Sequence, residues 1–416
     1  MNSFFAEEKH IAATVNDFNT YCRFIDQQRP KLSKGLEVLG KNVLFVLNGQ
    51  LHFRKEVSAP NFPQESYPYI NLMFNLSLLG GLYRKVGDEK ANVYLEPTTR
   101  KAEYDSLNLF EKYCFLLETY WTEYDFTELF RFGIDLFYQL ITRFSRSKYG
   151  ENLKKGNITN RKEYDPFFSY FSDITYHLSF LGFCLFEPVI TDKKLTKYDD
   201  SILYIIPSDL GINSCKILSK LKLTLWSKPY LNIMGVYTKD EFFNLTKRPF
   251  VEHLKPLFPK NSLIKGVKSE PVEEQTGNYT FMVMLDKTIW RKIKLSHKHT
   301  LEDLHLAIQK AFDFDNDHLY SFFMDGKRYS KNAYHCSYGD EGPYADEAII
   351  GELGLYKGQK ILYLFDYGDS WEFLVQLMSI ENEEEVAEPK IIESKGENPP
   401  QYRWEADFDD EDPDDE

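Results

Sequence analysis

Between residues 279 and 295 the chain alternates with a period of two, twice, on either side of a three-residue break. Tyr279, Phe281, Val283 and Leu285 fall on one face of the first run, and the second run, Ile289-Trp-Arg-Lys-Ile-Lys-Leu, alternates as well. Such alternation predicts two half-buried strands, and Asp286-Lys-Thr between them closes a hairpin. Thr300-Leu-Glu-Asp then reads as a capping box: the hydroxyl covers a free amide and Asp303 reaches back. The helix that follows is expected to bury Leu301, Leu304, Ala307, Ile308 and Ala311. Beyond it lie a strand around 319–324, a turn at Asp325-Gly326, a long loop to Asp346 and Glu347, and a helical turn over 349–353. Strands over 360–367 and 371–380 follow, the second an extra strand paired through the turn at Gly368-Asp369. This order (ββαβ…ββ) predicts a β-grasp-like, ubiquitin-like unit with its own core. Trp290 and Trp371 are expected to fill that core.

A chain of 416 residues exceeds what one hydrophobic core sustains, so two to four domains are expected. Residues 1–260 read as helix-rich, either one region or two units of about 1–150 and 151–260. Residues 261–277 are polar without period and are expected to be a linker, followed by a domain over 278–400. The fold class is therefore α+β. The 33 Phe and 28 Tyr supply large buried area. No run of eighteen apolar residues occurs, and the N-terminus lacks a signal peptide's basic start and apolar centre, so a soluble, cytoplasmic protein with no membrane partner is expected. Cys22, Cys114, Cys184, Cys215 and Cys336 are scattered, with no C-x-x-C pair, which argues against a zinc ribbon or a disulfide framework.

The net charge of −14 is local. Residues 381–416 hold 16 acids and 3 bases, leaving the first 380 residues with 48 acids and 47 bases. An acidic tail over 401–416 is expected to be disordered, because it cannot bury enough apolar surface to fold. The body is neutral, so net charge does not exclude a nucleic acid. The tail itself suits a basic protein partner, or this chain's own basic loop.

Two passages in the helical region resemble each other. Each has an apolar helix, one from Tyr69 and one from Ile174, that stops at glycine (Gly80-Gly81, Gly182). Each continues into a short strand and then Pro-Thr or Pro-Ser opening another helix. The order resembles winged-helix modules over about 40 residues each time. Neither 69–82 nor 174–185 contains Lys or Arg, which favours scaffolding over base recognition. The helix expected over 107–124 is apolar on two sides and should be mostly buried. Asn48-Gly49 fits either a tight turn or the end of a helix. One stretch suits a polyanion: Arg143, Arg146, Lys148, Lys154, Lys155, Arg161 and Lys162 occur against a single acid, Glu151.

The C-terminal segment resembles the plasmid pRiA4b ORF-3-like family. The residues that carry this are Ile289-Trp290-Arg291; Leu301, His305, Ile308, Gln309 and Phe312 along one helix; His318-Leu319 with Phe322; Tyr329; Asp346-Glu347; and Tyr367-Gly368-Asp369-Ser-Trp371-Glu372. It departs from the family where Phe373 stands in a position commonly His. It departs again where only Pro399-Pro400 remain of a Cys-Pro-Pro-Glu-Asp stretch. The resemblance implies a fold and a plasmid or mobile-element setting, and no particular activity.

The functional expectation is a non-catalytic binding or adaptor protein, partner unknown, with no cofactor and no metal. One alternative is a DNA-binding regulator using the winged elements and the 143–162 loop. The other is a metal-dependent hydrolase at His318, Asp366 and Asp369, with His305 nearby, since carboxylates and imidazole serve metal binding and proton transfer alike. Against the last, Asp366 and Asp369 flank a glycine, where a carboxylate accepts turn amides, and a histidine on a core-facing helix is commonly packed. No strong catalytic spacing appears elsewhere.

Overall fold

The computed structural model describes residues 4–126, 134–154, 172–188, 202–235, 248–266, 275–339 and 342–402. Lys155, Arg161, Lys162 and the tail beyond residue 402 lie outside the described residues. Two compact units emerge, residues 1–86 with 92–269, and residues 87–91 with 270–416. The first is mainly helical and the second is built on a large antiparallel sheet, a mixed α+β chain.

In the first unit, α1 (Glu8–Gln28) buries Ile11, Val15, Phe18, Cys22 and Ile25, the three-and-four spacing of a helix face. Helix α2 (Lys41–Asn48) ends at Gly49, so Asn48-Gly49 terminates a helix and makes no hairpin. There Asn48 Oδ1 accepts the Lys55 amide at 2.9 Å while its Nδ2 donates to the Lys55 carbonyl at 2.8 Å.

The two similar passages are each helix, glycine, hairpin, helix. The first comprises α3 (Pro68–Leu79), β1 (Tyr83–Gly87), β2 (Val93–Pro97) and α4 (Thr99–Asp105). Helix α5 (Leu109–Glu123) follows, then α6 (Ile134–Arg146) and β3 (Leu153–Lys154). The second comprises α7 (Ser172–Phe180), β4 (Cys184–Pro188), β5 (Ile202–Pro207) and α8 (Asp209–Leu218). Each passage holds two strands where one is expected: β2 and β5 are the expected ones, β1 and β4 are additional, and Tyr83–Gly87 carries Arg, Lys and Gly where a strand signal needs apolar alternation.

The correspondence extends to single hydrogen bonds. Gly81 and Gly182 take φ of +66° and +75°. Their amides donate to Leu78 and Ser179, and the next amides, of Leu82 and Phe183, to Ser77 and Leu178. That is the paired-amide closure of a left-handed helix end. The Thr98 and Ser208 hydroxyls then donate back to the Gly81 and Gly182 carbonyls, each at 2.6 Å. Helices α3 and α7 pack on each other, with Tyr69 edge-on to Tyr176 at 5.4 Å, and most of both is buried.

Helix α5 is the hub of this unit, with α1, α3 and the short α9 (Leu223–Trp226), α10 (Lys228–Ile233) and α11 (Phe250–Leu254) around it. Tyr113, Leu116, Leu117, Tyr120 and Trp121 are buried, as its two-sided apolar pattern requires. Its capping box, Asn108 with Glu111, does a second job. Glu111 Oε1 accepts the Ile264 amide at 2.8 Å and the Lys265 amide, which holds the start of the segment whose composition suggests a linker. All five cysteines are free and buried. Among the described residues no helix is long and apolar enough to cross a membrane.

In the second unit, β6 (Asn278–Met284) and β7 (Trp290–Ser296) form the expected hairpin, with Asp286 Oδ1 accepting the Thr288 and Ile289 amides at 2.6 and 2.9 Å. Helix α12 (Leu301–Phe312) starts on the Thr300–Asp303 capping box and buries the five residues its spacing selects. Then come β8 (Tyr320–Phe323), β9 (Ala333–His335), β10 (Lys360–Phe365), β11 (Trp371–Glu381) and β12 (Lys390–Lys395). The order is β12-β7-β6-β11-β10-β8-β9, every pair antiparallel. The turn at Gly368-Asp369 pairs β11 with β10 as expected, but β11 lies mid-sheet, against β6 as well.

Period-two logic assigns the faces. Tyr279, Phe281, Ile293, Tyr363, Phe373 and Val375 point into the core under α12. Phe373, at the family's usual His position, is fully buried with its ring 4.8 Å from Phe312. Trp371 is buried against Phe314 at 4.9 Å, as anticipated. Trp290 is not. Because Ile293 and Leu295 face inward, so does Arg291, and Trp290 lies half-buried on the opposite face with the Lys292 amine 5.5 Å from its ring.

Candidate functional site

Several family-motif residues, His305, Gln309, His318, Asp366 and Trp371 among them, lie where α12, the loop after it and the strands joined by the β10–β11 turn meet. At the centre is His305, 1 % exposed, because its helical position faces the sheet. Its ring stacks on Tyr320 at 3.7 Å, Nδ1 lies 2.7 Å from the Tyr363 hydroxyl, and Nε2 lies 2.7 Å from Asn316 Oδ1. Gln309, one helical turn on, donates to the same hydroxyl at 2.7 Å. Burial holds the imidazole well below its ordinary range, down to about 4. His305 and Gln309 are thus interior polar groups.

The β10–β11 turn spends its acid on itself. Asp366, at φ +54°, accepts the Gly368 amide at 2.9 Å and the Asp369 amide at 3.3 Å through Oδ1. Its Oδ2 faces His318 Nε2 at 3.5 Å, and Asp317 Oδ2 lies at the same distance from that nitrogen. His318 is part-exposed and edge-on to Phe365 at 6.0 Å. The pair His318–Asp366 is therefore brought together, while Asp369 is drawn in through its backbone.

The loop 313–318 also anchors the chain's last described residues. Gln401 bridges Asp315 and Asp317, and the Tyr402 hydroxyl donates to Asp317 at 2.8 Å. The two carboxylates push that phenol up to about 12.

Asp346 and Glu347, both exposed, lie elsewhere, on the segment that pairs with the start of α12. Asp346 faces Glu302, whose carboxyl is raised by partial burial and by repulsion from Asp346 and Asp303. Tyr329 is 71 % exposed at φ +60°, capped by Arg328 at 4.8 Å. Arg328 also reaches Glu372 at 2.9 Å and the Ser370 hydroxyl at 2.8 Å, tying that loop to the Gly368 turn. Among the described residues no group of three His, Cys, Asp or Glu side chains is placed to hold a metal.

Two arrangements escaped the sequence reading. Ser321, fully buried on the sheet's open face, lies 2.6 Å from both His335 Nδ1 and the Tyr367 hydroxyl. The register of β8 with β9 sets Ser321 opposite His335, Tyr367 arrives from the end of β10 on the other side of β8, and no local spacing signals either. Arg291 is 4 % exposed and donates to the carbonyls of Ala311 at 2.9 Å, Lys395 at 2.7 Å and Gly396 at 3.1 Å and to Asn398, its guanidinium 4.8 Å from the Phe312 ring. An Arg at an inward position of an alternating strand was the available signal.

In the helical unit, Arg143 and Arg146 border an open groove of about 700 Å³ with Tyr138, Gln139, Thr142, Ser147 and Glu151. Lys148 follows on the same segment, its amide donating to Glu151 at 2.9 Å. Lys154 lies on β3, whose short pairing with β5 fixes its backbone.

No match was found among curated proteins. A crystal structure of a protein of unknown function from Methanosarcina mazei Go1 is similar at 26 % identity, over 30 % of this chain and 73 % of that one, with a TM-score of 0.26. Residues 278–402 match the family model described as plasmid pRiA4b ORF-3-like protein, the family to which the motifs of the C-terminal domain point.

Proposed function

We propose that this chain is a non-catalytic binding or adaptor protein of a plasmid or mobile-element setting. In this reading the C-terminal domain is a β-grasp-like variant set on a helical scaffold of two winged-helix-like repeats. The observation that carries the reading is the Asp366 carboxylate, whose Oδ1 is occupied by the amides of its own turn. His305 is equally committed, between Tyr363 and Asn316. Groups so engaged act as fasteners, and a general base needs a lone pair aimed at substrate. The helix before each hairpin, which a winged module would present to DNA, is mostly buried here, which supports scaffolding.

Thermal unfolding with and without divalent cations tests this against the hydrolase alternative. The binding reading expects no cation-dependent shift for the wild type, and a lower Tm for Asp366→Ala than for Asp369→Ala. A cation-dependent rise that Asp369→Ala abolishes overturns it.

A second reading, DNA binding through the 143–162 loop, is favoured by the groove beside Arg143 and Arg146. These side chains stand one helical turn apart on α6, a spacing suited to successive phosphates. A gel shift at low salt, weakened by Arg143→Glu with Arg146→Glu, supports it; no shift at low salt removes it.

A further inference from the structure

Strand β12 closes one side of the seven-stranded sheet, and among the described residues nothing pairs with its outer edge. All six of its residues are exposed, including Ile391 at 41 % and Ile392 at 47 %. An edge of this length with β-branched apolar side chains is a template for another strand.

Its register with β7 tells which strand fits. Lys390 lies opposite Lys294, Glu393 opposite Lys292 and Lys395 opposite Trp290, so these three side chains share the sheet's open face. Ile391 lies opposite Ile293, which faces the core, and a bulge follows before Glu393. The extra residue there shifts the alternation by one, so Lys390 and Glu393, three positions apart, fall on the same open face. The sequence Lys390-Ile-Ile-Glu393 is therefore self-complementary when turned antiparallel to itself. Lys390 meets Glu393 on the open face, with Ile391 and Ile392 lying between the two charge pairs. A regular strand would put such partners on opposite faces, and the bulge corrects the mismatch.

We propose that β12 is the docking edge for a second copy of this chain, the two strands pairing antiparallel about a twofold axis with Lys390 of each copy against Glu393 of the other. The occupant is chosen by charge: each cation meets an anion, and twofold symmetry repeats each pair. Glu393 already bridges Lys292 of its own chain at 2.6 Å, so in the pair its carboxylate lies between two ammonium groups.

Sedimentation of the full-length chain over a concentration series tests it, with Lys390→Glu, Glu393→Lys and the double charge swap alongside. The wild type is expected to dimerise. Each single variant turns two attractive pairs repulsive and should raise Kd by about tenfold or more. The double variant should return Kd to near the wild-type value, which also shows that both substitutions are compatible with folding. A wild type that stays monomeric throughout, single variants with unchanged Kd, or a double variant as weak as the singles overturns the proposal.

Discussion

The Tyr363 hydroxyl and His305 Nδ1 lie 2.7 Å apart inside the C-terminal domain, and the direction of that hydrogen bond follows from their other partners. Asn316 Oδ1 is an acceptor, so His305 Nε2 carries the proton and Nδ1 accepts from Tyr363. Gln309 Nε2 donates in turn to the Tyr363 oxygen. The chain is satisfied only by a neutral imidazole. In the folded state burial puts the pKa at about 4, below the ordinary 6.5. The neutral form is thus the one the fold favours. Its stabilisation is complete above pH 6.5 and is lost progressively as pH falls towards and below 4. His177, wholly buried among Tyr120, Tyr124 and neighbours and lowered to about 3, adds the same dependence in the helical unit. Urea unfolding of the wild type should show the midpoint falling across this interval. His305→Gln should flatten part of that fall while costing about 2 kcal/mol at neutral pH.

Arg291 supports a prediction about the C-terminal edge. Its guanidinium is the common donor to Lys395, Gly396 and Asn398, the residues that carry the chain out of β12. A lysine has the charge but not the planar fork, and cannot serve these acceptors together with Ala311. Arg291→Lys should cost about 2 kcal/mol and speed amide exchange in β12 relative to β6. Equal exchange in both strands, with unchanged stability, would show that the guanidinium is not what fastens this edge.

How much of this was legible in the sequence divides along local and non-local lines. The β6–β7 hairpin, the α12 cap and the α12 core face follow from spacing alone, because each depends on residues within a few positions. Trp290 was misassigned by residue type when the alternation already gave the face: Ile293 and Leu295 fix Arg291 inward. Strand β12 was missed because Ile391 and Ile392 sit in an acid-rich stretch, and their pairing partner, β7, lies about a hundred residues earlier. At the candidate site, His305 and Asp366 read locally as a packed histidine and a turn acid, and their partners agree. Tyr363 and Asn316 reach His305, and His335 reaches Ser321 on the sheet's other face, through register and loop closure, which no short motif encodes.

The two repeats make a paired prediction. Thr98 and Ser208 each return a hydroxyl to the carbonyl of the preceding left-handed glycine, and both bonds are 2.6 Å. Ser208 also caps α8 by accepting the Gly211 amide at 2.9 Å, whereas Thr98 makes no cap bond to α4. Ser208→Ala should therefore cost more, about 1.5 kcal/mol, than Thr98→Ala at about 1 kcal/mol. The two do not touch, so the double variant should lose their sum in chemical denaturation. A loss well short of additive would show that the repeats relax as one.

Glu118 on α5 should respond to pH with the opposite sign to His305. Partial burial, with Glu123 adjacent, raises its carboxyl to about 7, and Lys228 and Arg100 only partly offset this. A raised acid is favoured protonated, so its unfavourable contribution is absent below its ordinary 4.5 and grows as pH rises through 7. Glu118→Gln keeps the shape and removes the charge. Because the side chain is only partly covered, the expected gain is about 1 kcal/mol at pH 8. At pH 5 the variant and the wild type should nearly coincide. Urea midpoints at the two pH values, with unchanged m, provide the measurement. A gain of equal size at both would assign the effect to helix propensity, since only a titrating carboxyl makes the difference grow with pH.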